Sequence, residues 1–349
     1  MLDVVVVGGG FAGMYALCRL RRDGWTVKVL EAGTDVGGTW YWNRYPGARC
    51  DVPSLEYSFG FSPELEQEWD WPEVFSAQTD ILEYANHIAE RFDLRRDMQF
   101  NCRVRRIEFD EADESWRLTA ESGEAFSSRY VIMATGCLSV PNKPELPGAE
   151  SFAGRVLHTG RWPKEPVDLS GERVGIIGTG SSGVQAIPEL ARQSGHLTVF
   201  QRTPVYTVPA NRNRMRPAVQ DEFRDNYREI RDMQQRNFGG VSGFRPVRSR
   251  RAPVEGGPPK PAPLPTNIAE LTPEAALEAV RDRGLGVLLG FGDVYTDLDM
   301  NERANDVYRA AVREMVDDPE VAERLLPKTY GLGCKRQVLD RDYYATYNR

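Results

Sequence analysis

The sequence predicts an α/β protein with two dinucleotide-binding, Rossmann-like domains and a helical insertion in the second domain. The main observation is a strand, glycine turn, helix and strand pattern that occurs twice, with its glycine turns at residues 8–13 and 178–183,. A second observation is a change to charged, amphipathic helical patterns within residues 210–327,. One glycine motif can arise by accident, but two in matched contexts are specific.

The first domain is predicted over residues 1–140. Val4–Val7 is a short apolar strand, and Phe11–Arg22 after the first glycine turn has a helical pattern,. Thr26–Leu30 is the second apolar strand, and residues 103–129 then alternate apolar and polar side chains in short runs, which predicts an antiparallel meander,. The apolar run at residues 130–134 predicts a buried strand that completes this part of the chain.

The second domain is predicted to begin with residues 141–209, which contain a proline-rich linker followed by a strand, a helix and a strand,. Val174–Ile177 and Leu197–Phe200 are its apolar strands. Residues 328–349 are expected to return to this domain, with no further strand of its sheet before Arg349.

Residues 210–327 are predicted to be the helical insertion, with amphipathic helices at Val219–Met233 and Asn301–Val316,. Between them, residues 239–265 are rich in Gly, Pro and Arg and predict a long loop. Its arginines indicate either a solvated loop or a phosphate-binding patch, and they are Arg245, Arg248, Arg250 and Arg251.

The composition is that of an ordinary globular protein with a formal net charge of −7, which gives no general reason to bind nucleic acid or anionic lipid. The five cysteines form no CxxC pair, so we expect free thiols in a reducing compartment. The three histidines share no ligand spacing, and no metal site is expected,. No secretory leader or membrane span is visible, which predicts a cytoplasmic protein.

The first glycine turn has the residues that a dinucleotide pyrophosphate requires. Gly8 permits the turn, Gly10 permits close approach of the phosphates, and Gly13 allows the helix to pack on the strand,. The helix N-terminus offers N–H groups and partial positive charge to the phosphates. Glu31 follows about 20 residues later, where a carboxylate accepts hydrogen bonds from a ribose diol and repels a 2′-phosphate,. This site therefore predicts FAD or NAD.

The second glycine turn is followed by a cation where the first is followed by Glu31. Its predicted nucleotide-binding residues are Gly178, Gly180, Ser181, Ser182 and Gly183. Arg202 and Thr203 follow the next strand, and arginine supplies paired donors to a phosphate. This site therefore predicts NADP, although an exposed arginine at a strand end would look the same.

Two further segments are unusual for a plain nucleotide-binding protein. Residues 37–51 crowd aromatic side chains and arginines into one loop, which predicts packing on a large planar ligand,. Residues 152–163 read FAGRVLHTGRWP, in which His158 taken alone would be a structural histidine.

These segments resemble the type I Baeyer–Villiger monooxygenases, of the phenylacetone and cyclohexanone monooxygenase kind. The residues that match the FxGxxxHxxxWP fingerprint of that family are Phe152, Gly154, His158, Trp162 and Pro163. Residues 37–51 match a second family segment, a GGxW followed by an aromatic residue, Pro-Gly and Asp. Residues 333–336 resemble the segment that carries the active-site arginine of the family.

The resemblance implies a role for each matching residue. The residues implied to hold FAD are Gly8, Gly10, Gly13, Glu31, Gly38, Thr39, Trp40 and Asp51. The residues implied to hold NADPH are Gly178, Gly180, Ser181, Ser182, Gly183, Arg202, Thr203 and Lys335. Arg336 would lie over the flavin, oriented by Asp51, and both are the implied catalytic residues. His158 and Trp162 would act through conformation.

The implied activity is an FAD-dependent, NADPH-consuming oxygenation of a small-molecule ketone by O2, through a C4a-peroxyflavin, to an ester or lactone. Sulfides are a further substrate class that the resemblance implies. A cationic Arg336 would stabilise the anionic species of such a reaction, and Asp51 would keep its guanidinium aimed. No side-chain nucleophile is needed, because the cofactor performs the difficult step.

Three alternatives are open at this point. A pyridine-nucleotide disulfide reductase would share both glycine turns but needs a redox pair of cysteines. An N- or S-oxidising flavin monooxygenase would share the FxGxxxH core. The third is a catalytically incomplete fragment, because members of the resembled family continue well beyond the position of Arg349, and we expect a C-terminal truncation.

Overall fold

The computed structural model describes residues 1–210, 214–237 and 263–349. The chain forms two compact units, one of Met1–Tyr45 with Ala77–Pro166 and one of Pro46–Ser76 with Val167–Arg349. This division differs from the predicted domain boundaries, because residues 46–76 fold with the second unit and residues 141–166 fold with the first. The arginine-rich segment considered above lies outside the described residues.

The described residues contain ten β-strands and ten α-helices. The strands are β1 (Leu2–Val7), β2 (Val27–Leu30), β3 (Met98–Gln99), β4 (Val104–Asp110), β5 (Ser115–Ala120), β6 (Ala125–Met133), β7 (Arg173–Ile177), β8 (His196–Phe200), β9 (Thr207–Pro209) and β10 (Val338–Asp340). The helices are α1 (Phe11–Arg22), α2 (Thr39–Trp42), α3 (Pro63–Glu68), α4 (Gln78–Arg91), α5 (Ser181–Gln193), α6 (Pro217–Arg236), α7 (Pro273–Arg283), α8 (Leu298–Met315), α9 (Pro319–Leu325) and α10 (Tyr343–Thr346).

A six-stranded sheet in the order β3-β2-β1-β6-β5-β4 forms the centre of the first unit. Strand β1 is parallel to β2 and β6, β2 is parallel to β3, and β4, β5 and β6 form the predicted antiparallel meander. Its buried core includes Val5, Leu30 and Leu118. The strand, turn, helix and strand at the start of this unit therefore form the βαβ arrangement that the sequence predicts.

The predicted strand at residues 130–134 is the second half of β6, which continues from the last strand of the meander. It was expected to be buried, and this expectation is wrong for its large side chains, because Tyr130, Ile132 and Met133 are all exposed. The apolar run is typical of a strand buried on both faces, but pairing with β1 and β5 satisfies only the backbone edges of β6 and does not cover these faces.

The second unit contains another βαβ arrangement, in which β7 and β8 are parallel and joined by α5. The predicted α/β class with two Rossmann-type units is thereby confirmed. Helices α6–α9 belong to the predicted insertion, and a large apolar core that includes Phe291, Tyr308 and Val312 packs α7, α8 and α9 together. No helix among the described residues is both long and apolar enough to cross a bilayer.

Strand β10 was not predicted, but it does not add to the sheet of β7 and β8, for which no further strand was expected. Its three residues are buried and pair in parallel with β9 in a separate two-stranded sheet, with Val338 opposite Thr207. Three residues are too few to show a period of two, so the sequence pattern gives no signal for this strand. Its effect is to fix the segment that directly follows Lys335 and Arg336.

Candidate nucleotide-binding and active site

The first glycine turn joins β1 to α1 through contacts that only glycine permits. Gly8 has a φ of +112°, and a Cβ there would lie 2.4 Å from the carbonyl oxygen of Ala134. A Cβ on Gly13 would lie 1.9 Å from the carbonyl oxygen of Gly8. Helix α1 begins after Gly10 with no side-chain cap and no acidic residue in its first turn. Its first N–H groups are therefore available to an anion such as a pyrophosphate.

The buried carboxylate of Glu31, at the end of β2, is hydrogen-bonded to this turn. Its Oε2 accepts from the backbone N–H of Gly9 at 2.5 Å, and its Oε1 accepts from that of Gly33 at 2.6 Å. Each carboxylate oxygen has a second lone pair. Glu31 can therefore hold both glycines and still accept a hydrogen bond from a ribose hydroxyl.

Residues 37–42 fold against the first glycine turn. The N–H of Gly37 donates to the carbonyl of Gly9 at 3.2 Å, and a Cβ on Gly38 would lie 2.7 Å from the Cα of Gly10. Thr39 begins α2, and the following Trp40 is buried and accepts from Gln78 Nε2 at its carbonyl. The protein itself thus buries Trp40, so the expected planar ligand is not required to explain its burial.

The fingerprint residues fold within the first unit. His158 Nδ1 accepts from the N–H of Gly160 at 3.1 Å, so the ring carries its proton on Nε2 and donates to the carbonyl of Asn142 at 3.2 Å. Phe152 is exposed, and a Cβ on Gly154 would lie 2.5 Å from its ring. The remaining members, Trp162 and Pro163, are half-buried and exposed. The imidazole ring of this histidine thus links two backbone groups, which fits a conformational role.

Lys164, which sequence reasoning missed, connects the end of the fingerprint to helix α2. Its Nζ donates to the hydroxyl of Tyr41 at 2.5 Å and to Thr34 Oγ1 at 3.1 Å. Burial raises the pKa of Tyr41, but the hydrogen bonds from Lys164 and Thr34 outweigh this and the pKa is lowered overall. The signal available in the sequence is a lysine directly after Trp-Pro.

The second glycine turn repeats the geometry of the first. Gly178 has a φ of +98°, and a Cβ on Gly183 would lie 2.2 Å from the carbonyl oxygen of Gly178. A Cβ on Gly180 would meet no atom within 4 Å, so the turn has open space beside it. Helix α5 begins at Ser181 and Ser182 with no side-chain cap. The first-turn N–H groups are again available to a phosphate.

The segment after β8 is tied to this turn. Thr179 Oγ1 donates to the carbonyl of Thr203 at 3.3 Å, and the neighbouring Arg202 is exposed. The second cation, Lys335, is also exposed, and its Nζ lies 4.1 Å from the centroid of the Tyr330 ring. Arg202 is the cation that the sequence pattern predicts for a 2′-phosphate, and Lys335 is a cation that the family resemblance implies for NADPH.

Arg336 pairs with Asp51. One guanidinium nitrogen, Nη2, donates to both carboxylate oxygens of Asp51 at 2.5 Å. The Asp51 side chain is 17% exposed, whereas that of Arg336 is 70% exposed. The guanidinium is therefore fixed through one nitrogen, and its other N–H groups can donate to a second anion.

The loop that carries Asp51 is held by a residue of helix α5. Gln185 Oε1 accepts from the N–H of Arg49 at 3.3 Å, and its Nε2 donates to the carbonyl of Arg49 at 3.2 Å. The Arg49 side chain donates to Glu73 at 2.8 Å and to the carbonyl of Phe75 at 2.7 Å. Sequence reasoning missed Gln185 and Glu73. A buried glutamine within an apolar run of α5 was the signal for the first.

The cysteines do not form a redox pair. All five are free, and Cys50 and Cys102 are buried. Burial raises the pKa of Cys18 and of Cys50 to about 11, so these thiols stay protonated at neutral pH and are poor nucleophiles. Cys18 and Cys50 therefore give no support to the disulfide-reductase alternative.

Comparison with known proteins assigns the family. Residues 5–239 match the pyridine nucleotide-disulphide oxidoreductase family. The chain is 39% identical over 351 residues to a Baeyer-Villiger monooxygenase of Pseudooceanicola batsensis, covering 99% of this chain and 61% of that protein. It is 37% identical over 350 residues to the phenazine N-monooxygenase PhzNO1 of Lysobacter antibioticus, with the same two coverages.

The fold is similar to that of an oxidised steroid monooxygenase bound to NADP, with a TM-score of 0.85 and 43% identity over 100% of this chain and 64% of the other. The chain thus spans about three fifths of the length of the relatives that it matches. The resemblance predicted from residues 37–51 and 152–163 is confirmed. The chain belongs to the pyridine nucleotide-disulphide oxidoreductase family, and over its whole length it is similar to the Baeyer–Villiger monooxygenases.

Proposed function

We propose that the protein is an FAD-dependent, NADPH-consuming monooxygenase that inserts one oxygen atom of O2 into ketones to give esters or lactones. The observation that carries the proposal is the Arg336–Asp51 pair, an exposed cation held by a carboxylate in the unit that contains the second glycine turn. A plain nucleotide-binding unit has no need of this pair. Similarity to Baeyer–Villiger monooxygenases supports the choice of reaction, and sulfides are a second substrate class in the proposal.

FAD would be held by the first glycine turn. Gly8, Gly10 and Gly13 leave the backbone open to a pyrophosphate, and Glu31 retains lone pairs for a ribose,. Gly38 lies against the same turn, and with Thr39 and Trp40 it would contact the cofactor beyond its phosphates. These residues fit a dinucleotide that lacks a 2′-phosphate, and FAD is such a dinucleotide.

NADPH would be held by the second glycine turn. Gly178, Gly180 and Gly183 supply the same backbone geometry, with Ser181 and Ser182 at the start of α5. Arg202, Thr203 and Lys335 would contact the 2′-phosphate, because the guanidinium and ammonium groups are both exposed,. The absence of a carboxylate at the position equivalent to Glu31 favours NADPH over NADH.

Bound FAD would supply the redox chemistry, by accepting hydride from NADPH and activating O2. The protein then has to stabilise negative charge that develops on oxygen when the ketone carbonyl is attacked. Arg336 fits this role, because Asp51 engages one of its nitrogens and leaves further donors available,. Gln185 and Glu73 hold the loop of Asp51, and they would keep the pair oriented,.

The fingerprint residues are proposed to act through conformation. His158 carries its proton on Nε2 and bridges two backbone groups, so it is poorly placed to move a proton to or from a substrate. The five free thiols fit a reducing compartment, and a cytoplasmic location is part of the proposal,.

N-oxidation is a second candidate function, because the chain is as similar to a phenazine N-monooxygenase over its length as it is to ketone-oxidising relatives. Both reactions would use the same two nucleotide sites. They differ in the role of Arg336, because in N-oxidation the substrate nitrogen attacks the oxygen and no tetrahedral oxyanion forms on a carbonyl carbon.

The test is to add FAD to the purified protein and follow NADPH consumption with cyclohexanone, phenylacetone, a ketosteroid, a phenazine and an aryl sulfide, with product analysis by mass spectrometry. We expect ester or lactone from at least one ketone. In Arg336→Ala, flavin binding should persist while ester formation falls by at least tenfold, and Arg336→Lys should retain part of it. N-oxide without ester, or full ester formation by Arg336→Ala, would contradict the proposal.

A further inference from the structure

The ammonium of Lys335 lies on the face of an aromatic ring. Its Nζ is 4.1 Å from the centroid of Tyr330, well within the range of a cation–π interaction,. Lysine carries its charge on a flexible four-carbon stem, so its position is usually poorly defined. The ring of Tyr330 therefore restricts where this charge is found.

Tyr330 is itself fixed at three places. Its hydroxyl donates to the carbonyl of Pro204 at 2.9 Å, and its own carbonyl accepts from the hydroxyl of Tyr206 at 3.0 Å. The rings of Tyr206 and Tyr330 also meet edge to face at 5.3 Å. Burial raises the pKa of the Tyr330 hydroxyl, which keeps it protonated and able to donate at neutral pH.

The hydroxyl contact joins Tyr330 to the strand end that carries Arg202. Pro204 directly follows Arg202 and Thr203, and the carbonyl of Thr203 accepts from Thr179 in the second glycine turn. One chain of contacts therefore runs from the glycine turn through the strand end to the ring that supports Lys335.

The segment after Tyr330 is anchored as well. Buried Asn305 on α8 accepts at Oδ1 from the N–H of Leu332, and the same oxygen lies 3.0 Å from the hydroxyl of Tyr206, which shares its one hydrogen between this oxygen and the carbonyl of Tyr330. The backbone between Tyr330 and Lys335 is thus anchored, and the tyrosine ring fixes the position of the ammonium group at the end of the lysine side chain.

We propose that Tyr330 is a specificity-determining positioning residue, which holds Lys335 beside the Arg202 strand end so that the ammonium meets the 2′-phosphate of an adenine nucleotide. This inference rests on the NADPH part of the proposed function. Without the ring, the charge of Lys335 remains but its position is lost. Affinity for nucleotides with a 2′-phosphate should therefore fall, while affinity for nucleotides that lack it should not.

The experiment measures binding of 2′,5′-ADP and of 5′-ADP to the whole 349-residue chain by calorimetry, so that no catalytic turnover is needed. The variants are Tyr330→Leu, Tyr330→Phe, Lys335→Met and the double variant Tyr330→Leu with Lys335→Met. Tyr330→Met serves if the leucine variant fails to fold, because methionine keeps much of the volume without a ring. Thermal melting confirms that each variant is folded.

We expect wild-type protein to prefer 2′,5′-ADP. Tyr330→Leu should reduce that preference by about two- to fivefold, which corresponds to the usual strength of an exposed cation–π contact. Tyr330→Phe keeps the ring face and should retain most of the preference. In the Lys335→Met background, replacing Tyr330 should change nothing further.

Three results would overturn the inference. An unchanged preference in Tyr330→Leu, or an equal loss for both ligands, would show that the ring does not position the charge. A further loss in the double variant would show that Tyr330 acts independently of Lys335. Equal binding of both ligands by wild-type protein would instead refute the NADPH assignment, and the inference with it.

Discussion

Asp340 offers a quantitative test of how the segment that carries Lys335 and Arg336 is anchored. Its carboxyl is buried at the end of β10, where it accepts from the N–H of Tyr343 at 2.6 Å and from Thr207 Oγ1 at 3.0 Å. Burial raises the pKa of Asp340 from 3.8 to about 6, although both hydrogen bonds act in the opposite direction. The perturbation is Asp340→Asn, which keeps the shape and an acceptor oxygen but cannot ionise.

The magnitude follows from the difference between the folded and unfolded pKa. About two pKa units correspond to about 3 kcal/mol of differential stability. Because the folded pKa is the higher one, the wild-type protein gains most from Asp340 below pH 3.8 and loses this contribution as the pH rises through about 6. The stability of Asp340→Asn minus that of wild type should therefore increase by up to about 3 kcal/mol between pH 4 and pH 7.

Hydrogen exchange with mass spectrometry on peptides that cover β9 and β10 measures this difference locally, after correction for intrinsic exchange rates. Asp342→Asn is the control, because Asp342 is an exposed carboxylate that pairs with Arg192 on the surface at 3.1 Å. A difference that stays constant from pH 4 to pH 7 would show that Asp340 is not a desolvated carboxylate, and the reasoning would then be wrong.

Two other predictions use the second unit. Arg202→Ala should weaken NADPH binding by about tenfold to a hundredfold, as the loss of a charge-assisted contact predicts, and should leave NADH binding within about twofold. Fluorescence titration measures both affinities. Equal effects on both coenzymes would contradict the 2′-phosphate assignment. Glu66→Gln breaks a buried ion pair with Arg231, in which Oε1 and Nε are 2.6 Å apart, and should lower the free energy of unfolding in urea by about 3–5 kcal/mol. Asp70→Asn, at the exposed end of a pair with Arg224, is its control and should change stability little,.

Elements that depend on neighbouring residues were predictable from the sequence. Helix α1 begins at Phe11 and ends at Arg22 as predicted. Strand β7 precedes the second glycine turn, and α5 and β8 follow it, as the sequence predicts. Their signals are local: glycines that permit a tight turn, an apolar strand before it and a period of 3.6 after it. Because these signals are local, the two turns have the same geometry. In each of them, the third glycine of the motif packs against the carbonyl oxygen of the first glycine.

Features that depend on distant residues were not predictable from these patterns. Residues 46–76 fold with the second unit because Gln185 binds Arg49 and because Arg231 pairs with Glu66, and both contacts join positions more than a hundred residues apart. No periodicity connects such positions. The pairing of Arg336 with Asp51 was likewise expected from the family resemblance and not from a pattern in the sequence.

The starts of the described helices differ in whether the side chain of the N-cap residue caps them. Within the described part of the chain, side chains of the N-cap residues cap four helices, α3, α7, α8 and α9, through Ser62, Thr272, Asp297 and Asp318. Helices α2, α4, α6 and α10 have no such cap. Helices α1 and α5 also have none, and their N-cap residues are glycines of the two glycine turns. Glycine at the N-cap costs roughly a few tenths of a kcal/mol of helix stability relative to a capping side chain, and each glycine turn retains unsatisfied N–H donors that a bound phosphate can satisfy. Nucleotide binding should therefore stabilise these two helix starts more than the four capped ones.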